Sequence, residues 1–182
     1  FFKNLNIPIK VINKKKYDLI EIEGESNFNG FNYTVPGDIS SCSFFLVLTI
    51  LSKDSRLTIK NVNINSTRTG VIKILKKMNA KILYKNKKYY KGEAVADIYV
   101  ESSNNIKSIK CPSSLNSSAI DEFLIIFLVA AKAKGISTFK SLGELNMKES
   151  PRLNIAIKIL RKIGVKVLRV KNDIKIFGQP NL

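Results

Sequence analysis

The sequence has 182 residues, 45% of them hydrophobic, enough for one domain with a real core or for one and a fraction. Its 31 Lys+Arg against 14 Asp+Glu give a net charge of +17, spread along the chain rather than gathered into the block or face of a nucleic-acid footprint. There is no histidine, Cys42 and Cys111 stand far apart, and no apolar run reaches 18 residues, which argues against a zinc site, a His-assisted nucleophile and a membrane-spanning helix.

Phe1 is not a start residue, and residues 178–182 leave a strand for a turn, so a fragment of a longer protein is expected. Strands are expected over 7–12 and 17–22, joined by the basic turn Asn13-Lys14-Lys15-Lys16, and again over 31–35, where polar and apolar residues alternate. Pro36-Gly37-Asp38 ends that strand. A helix follows, capped by Asp38 or Ser40; residues 42–51 are apolar nearly all round, the pattern of a helix buried on all faces. A strand over 56–61 leads to a second helix, capped by Asn65 or Ser66, with Val71, Ile74, Leu75 and Met78 on one face. Strands over 81–84 and 96–100 follow, separated by a basic, Tyr-rich connection.

The order then recurs. Residues 106–109 read as a strand, 120–131 as an apolar helix, 136–139 as a strand, 150–163 as an amphipathic helix, and 165–170 and 174–177 as two strands. Residues 74–82 match 159–167, and Thr58-Ile59-Lys60 matches Thr138-Phe139-Lys140. The unit is βαβαββ, present twice, and such units must stack to bury their inner helices.

The match places Asp121 opposite Ser41, each at the mouth of an apolar helix, and sets 146–152 opposite 61–67. Within those two windows, charge stands only in the second. Ser150 is a good N-cap, with Pro151 at the first helical position. Lys148 and Arg152 flank that helix start, where the macrodipole disfavours cations but free N–H groups suit an anion. With Glu149 between them, they form a candidate phosphate or carboxylate site. Asp121 is a candidate general base near that turn, though an acidic residue at a helix start also has a plain stabilising role.

Several segments together resemble the 5-enolpyruvylshikimate-3-phosphate synthase family. They are Val35-Pro36-Gly37-Asp38-Ile39-Ser40-Ser41, Asn65-Ser66-Thr67-Arg68-Thr69-Gly70, Val95-Ala96-Asp97-Ile98, Ile120-Asp121-Glu122, and Glu144-Leu145 with Lys148-Glu149-Ser150 and Arg152. The resemblance implies an α/β fold of repeated βαβαββ units, the inverse α/β barrel type of the enolpyruvyl transferases, in two domains with substrates in the cleft between. Residues 1–30 would be the tail of one domain, and 31–182 two consecutive units of the other (31–103 and 104–182).

The implied reaction transfers the enolpyruvyl group of phosphoenolpyruvate to the 5-hydroxyl of shikimate-3-phosphate and releases phosphate. Asp121 would take the hydroxyl proton and bind the shikimate ring, Lys148 would bind shikimate-3-phosphate, Glu149 would move the proton at the enolpyruvyl methylene, and Arg152 would bind phosphoenolpyruvate. The resemblance implies no cofactor and no metal, small-molecule substrates with no nucleic-acid or membrane partner, a cytoplasmic location, and a monomer when full length. Two positions depart from the family, which usually has Asp at Pro151 and Arg at Asn146. The family's other substrate contacts lie outside these residues, so the chain alone is expected to have no turnover. The alternatives are UDP-N-acetylglucosamine enolpyruvyl transferase, with the same fold and donor, and a basic RNA- or phosphate-binding module built on Tyr84, Tyr89, Tyr90 and their neighbouring lysines.

Overall fold

The computed structural model describes residues 2–24, 27 and 29–182. It contains β1 (Ile9–Asn13), β2 (Asp18–Ile22), α1 (Ile39–Leu51), β3 (Arg56–Asn63), α2 (Gly70–Lys77), β4 (Ile82–Tyr90), β5 (Glu93–Glu101), α3 (Phe123–Lys132), β6 (Ile136–Phe139), α4 (Arg152–Lys162), β7 (Val167–Val170) and β8 (Asp173–Phe177). β1 and β2 form an antiparallel hairpin over the expected basic turn. Two antiparallel three-stranded sheets follow, ordered β3-β5-β4 and β6-β8-β7, the same order in each repeat.

The first strand of each unit is reduced to bridges. Residues 31–35 form no ladder; only Gly37 pairs in parallel with Val62. Residues 106–109, expected as a strand, contribute one parallel bridge, Lys107↔Lys134, and a second follows just beyond at Lys110↔Thr138. Alternation marks a chain able to lie on a sheet, but the ladder depends on how much of the neighbouring edge is within reach. The Tyr-rich segment is not a loop: β4 and β5 run to a tight turn at Lys91-Gly92, both with positive φ.

A shared device bends the chain at the second strand of each unit, at the bulge within β3 and just past the end of β6. Asn61 has φ +54° and its N–H donates to Asp97 of β5, while Ser141 has φ +58° and its N–H donates to Asp173 of β8. Asn61 therefore corresponds to Ser141, and the 3₁₀ turn at Gly143–Asn146 is extra chain after it. That corrects the pairing of Asn61 with Asn146.

The core is continuous across both units. α1, α2 and α4 each pack against α3. Phe123 and Phe127 of α3 meet Phe139 of β6 at ring centroids 6.0 and 5.0 Å away, in edge-on geometry that favours aromatic pairs. α3 is buried nearly all round, as its composition predicts, with Leu128 its most exposed apolar side chain at 37%. α1 differs from expectation. Cys42, Leu46, Val47 and Ile50 are buried, but Phe44, Phe45 and Leu48 are more than half exposed. An all-apolar helix announces that it can be covered on every face; which faces are covered depends on what packs there.

Candidate active site

Asp38 accepts hydrogen bonds from the N–H and hydroxyl of Ser41 at 2.8 and 3.0 Å and so caps α1. Ser40 is thereby left to turn outward from the helix start. α2 starts later than expected, with Thr69 at its cap position, because Asn65 accepts the N–H and hydroxyl of Thr67 and closes a separate turn. That turn carries Arg68 out toward the start of α3.

α4 starts at Arg152, with Pro151 as its cap residue at ψ 71°. Ser150 and Pro151 are each one place further out than expected, and Ser150 makes no capping bond. The Pro151 carbonyl accepts the first helical bond from Ile155. The cap is supplied from a distance: the Asn146 side chain accepts from the N–H of Asn154 at 3.3 Å. Asn146 thus satisfies a helix-start donor of α4.

The four site residues picked from sequence come together. Asp121 Oδ1 lies 3.0 Å from Arg152 Nη1 and 3.5 Å from Lys148 Nζ, and Glu149 Oε2 lies 2.9 Å from Arg152 Nη2. These carboxylates answer the misplaced cations at the α4 start. Asp121, Lys148 and Arg152 are each about a third exposed or less, and Glu149 is largely open. The Glu149 carboxyl is held below the usual carboxylate range by a hydrogen bond from its own N–H, then by Arg152 and Lys148.

Three further residues complete the cluster. Arg68 Nη2 is 3.8 Å from Asp121 Oδ2 and donates to Ser40 Oγ at 2.8 Å. The Ser40 hydroxyl in turn donates to Glu122, which is 3% exposed. Burial pushes the Glu122 carboxyl up, and Ser40 and Arg68 offset this only in part. Arg68 sits one residue beyond the window in which the first unit reads as uncharged, so charge is not confined to one copy. Its place inside Asn65-Ser66-Thr67-Arg68-Thr69-Gly70 was the available signal.

Neither cysteine competes for a catalytic role. Burial pushes the Cys42 thiol up to about 12 and the Cys111 thiol to about 11, so both are protonated at neutral pH. Lys85 of β4 lies over Tyr99 of β5, and Lys87 of β4 and Lys76 of α2 lie over Tyr84, so these lysines are engaged by rings of the same unit.

A family model described as EPSP synthase (3-phosphoshikimate 1-carboxyvinyltransferase) matches residues 1–181. The chain belongs to the EPSP synthase family. It is 38% identical over 176 residues to the 3-phosphoshikimate 1-carboxyvinyltransferase of Thermodesulfovibrio yellowstonii, covering 97% of this chain and 40% of that protein. Against that of Petrotoga mobilis the identity is 38% over 156 residues, covering 86% of this chain and 36% of the relative. The solved EPSP synthase of Acinetobacter baumannii superposes with a TM-score of 0.89 at 33% identity, over 98% of this chain and 39% of that one. The chain therefore spans about two-fifths of the length of these relatives. The EPSP synthase likeness agrees with the repeated βαβαββ units, a portion of the inverse α/β barrel.

Proposed function

We propose that this chain carries one wall of the site of a 3-phosphoshikimate 1-carboxyvinyltransferase, with residues 31–182 forming two units of one domain and 1–30 the end of another. The observation that supports it best is the meeting of Asp121, Lys148, Glu149 and Arg152, two carboxylates and two cations, in a chain of this family. The reaction needs one proton acceptor, one proton carrier, and cations to hold multiply charged anions.

In the proposed steps, Asp121 takes the proton from the 5-hydroxyl of shikimate-3-phosphate. The freed oxygen bonds to C2 of phosphoenolpyruvate while C3 takes a proton from Glu149, giving a tetrahedral adduct. The C2–O bond to phosphate then breaks, a C3 proton leaves through Glu149, and the enol double bond re-forms. Lys148 holds shikimate-3-phosphate and Arg152 holds phosphoenolpyruvate.

Arg152 links the ligand to the proton chemistry. It touches both Asp121 and Glu149. When it turns toward an incoming anion, Glu149 loses part of the charge that holds its carboxyl low, and its proton affinity rises. Binding the donor thus readies Glu149 and frees the Asp121 oxygen that Arg152 covers.

The test offers the complete gene product phosphoenolpyruvate with shikimate-3-phosphate or with UDP-N-acetylglucosamine. Transfer to shikimate-3-phosphate is expected; transfer to the sugar nucleotide alone contradicts the proposal.

A further inference from the structure

Asp121 is faced by three cations, and they are not held alike. Lys148 and Arg152 reach it from the segment before α4 and from its first turn, where their carboxylate partners are Asp121 itself and the exposed Glu149. Arg68 reaches it from the other unit and is tied behind: its guanidinium donates to Ser40, whose single hydroxyl proton goes to Glu122. The direction of that chain is fixed, because a hydroxyl that accepts from a guanidinium is free to donate to a carboxylate.

Glu122 makes the tie strong. Its side chain is buried, and both the Ser40 hydrogen bond and the charge of Arg68, 2.8 Å from Ser40, favour its ionised form. Moving Arg68 away would leave a buried carboxylate with a neutral hydroxyl alone, which is costly. Lys148 and Arg152 make shorter contacts and are less exposed than Arg68, but their carboxylates, Asp121 and Glu149, are open enough for water to solvate when the cations turn away.

We propose that Arg68 is a positioning residue: it is the cation that stays with Asp121 when Lys148 and Arg152 turn to the ligand anions, and Ser40 and Glu122 fix it there. This rests on the enolpyruvyl transfer proposed above. An Asp121 stripped of all three cations would be free to rotate away from the hydroxyl it must deprotonate. With Oδ2 kept on Arg68, Oδ1 is the oxygen released toward substrate. The device also explains why the two units must be docked for the site to work: Ser40 and Arg68 come from one, Asp121 and Glu122 from the other.

The test uses the complete gene product with Arg68→Ala, Arg68→Lys and Ser40→Ala. Arg68→Ala is expected to lower kcat about 10- to 100-fold while KM for both substrates stays within about threefold, the split expected when an interaction matters in the transition state rather than in ground-state binding. Arg68→Lys should recover part of the rate, and Ser40→Ala should fall between Arg68→Ala and wild type. A rise in KM at unchanged kcat would make Arg68 a substrate contact and overturn the proposal, as would no change in either.

A second readout does not depend on turnover. Arginine side-chain NMR with added inorganic phosphate should perturb Arg152 and leave Arg68 unmoved. If the wild-type protein fails to turn over either acceptor, the proposed reaction fails by itself, and these spectra decide the positioning role. Movement of Arg68, or no movement of either arginine, overturns it.

Discussion

Arg152 Nη1 and Asp121 Oδ1 lie 3.0 Å apart, although 31 residues separate them in the chain. The contact joins the first turn of α4 to the residue just ahead of the N-cap of α3, and the packing of those two helices sets it. Its guanidinium uses its other nitrogen for Glu149 at 2.9 Å. A planar fork satisfies two carboxylates at once, which an ammonium cannot do with the same geometry.

Arg152→Lys in the complete gene product should therefore raise KM for phosphoenolpyruvate at least about tenfold even though the charge is kept. Lys148→Ala should act on KM for shikimate-3-phosphate instead. Steady-state kinetics with each substrate varied in turn checks both, and the two variants exchanging their effects would reverse the assignment.

Asp38 and Glu122 should respond to pH in opposite senses. Burial raises the Asp38 carboxyl, but hydrogen bonds from Ser41 and Ser40 and the charge of Arg68 outweigh it and leave it below its ordinary value. Its contribution is present above the unfolded value of about 3.9 and is lost as pH falls through the lower folded one. The buried Glu122 carboxyl lies above its ordinary value. Its contribution is complete below the unfolded value of about 4.3 and is lost as pH rises through the folded one. Denaturant unfolding should show wild type gaining on Asp38→Asn as pH rises from about 3 to 5. Over pH 4 to 7, Glu122→Gln should gain on wild type.

Phe127 has no exposed surface and touches both Phe123 and Phe139. Phe127→Ala should lower unfolding free energy by about 3–5 kcal/mol, the usual cost of removing a core aromatic ring and leaving a cavity. The same substitution at Phe44, which is 63% exposed, should cost far less in this chain. Equal losses would mean that α1 is covered where it stands open here.

Gly70 opens α2 against the second unit. A Cβ there would meet the Ser118 backbone at 2.6 and 2.7 Å, too close for either chain to avoid moving. Gly70→Ala should lower the thermal midpoint and also disturb Asp121, which follows Ser118 by three residues. Gly24, with open space around it, is the control: Gly24→Ala should leave the midpoint within experimental error.

Helices with a clear apolar pattern were legible in the sequence, and so was the repeat, because periodicity and spacing are local. Exposure of Phe44 and Leu48 was not, since composition says only that a face can be buried. The strand expected at 31–35 did not form, and only Gly37 beyond it makes a bridge, because ladder formation depends on a partner edge. Ser150 looked like a cap, yet Pro151 took that place and Asn146 supplied the bond from six residues before the helix. At the site, Asp121, Lys148, Glu149 and Arg152 were found from charges at helix starts. Arg68 and the buried Glu122 were not singled out, because their importance lies in a contact between units that no single window contains.

The most direct measurement is phosphate release by the complete gene product given shikimate-3-phosphate and phosphoenolpyruvate, for wild type and Asp121→Asn side by side. The account predicts turnover by wild type and a fall of about 10²- to 10⁴-fold for Asp121→Asn, the range for a lost general base. Equal rates for the two proteins would contradict the role of Asp121 at the centre of the site, and no release by wild type would contradict the reaction itself.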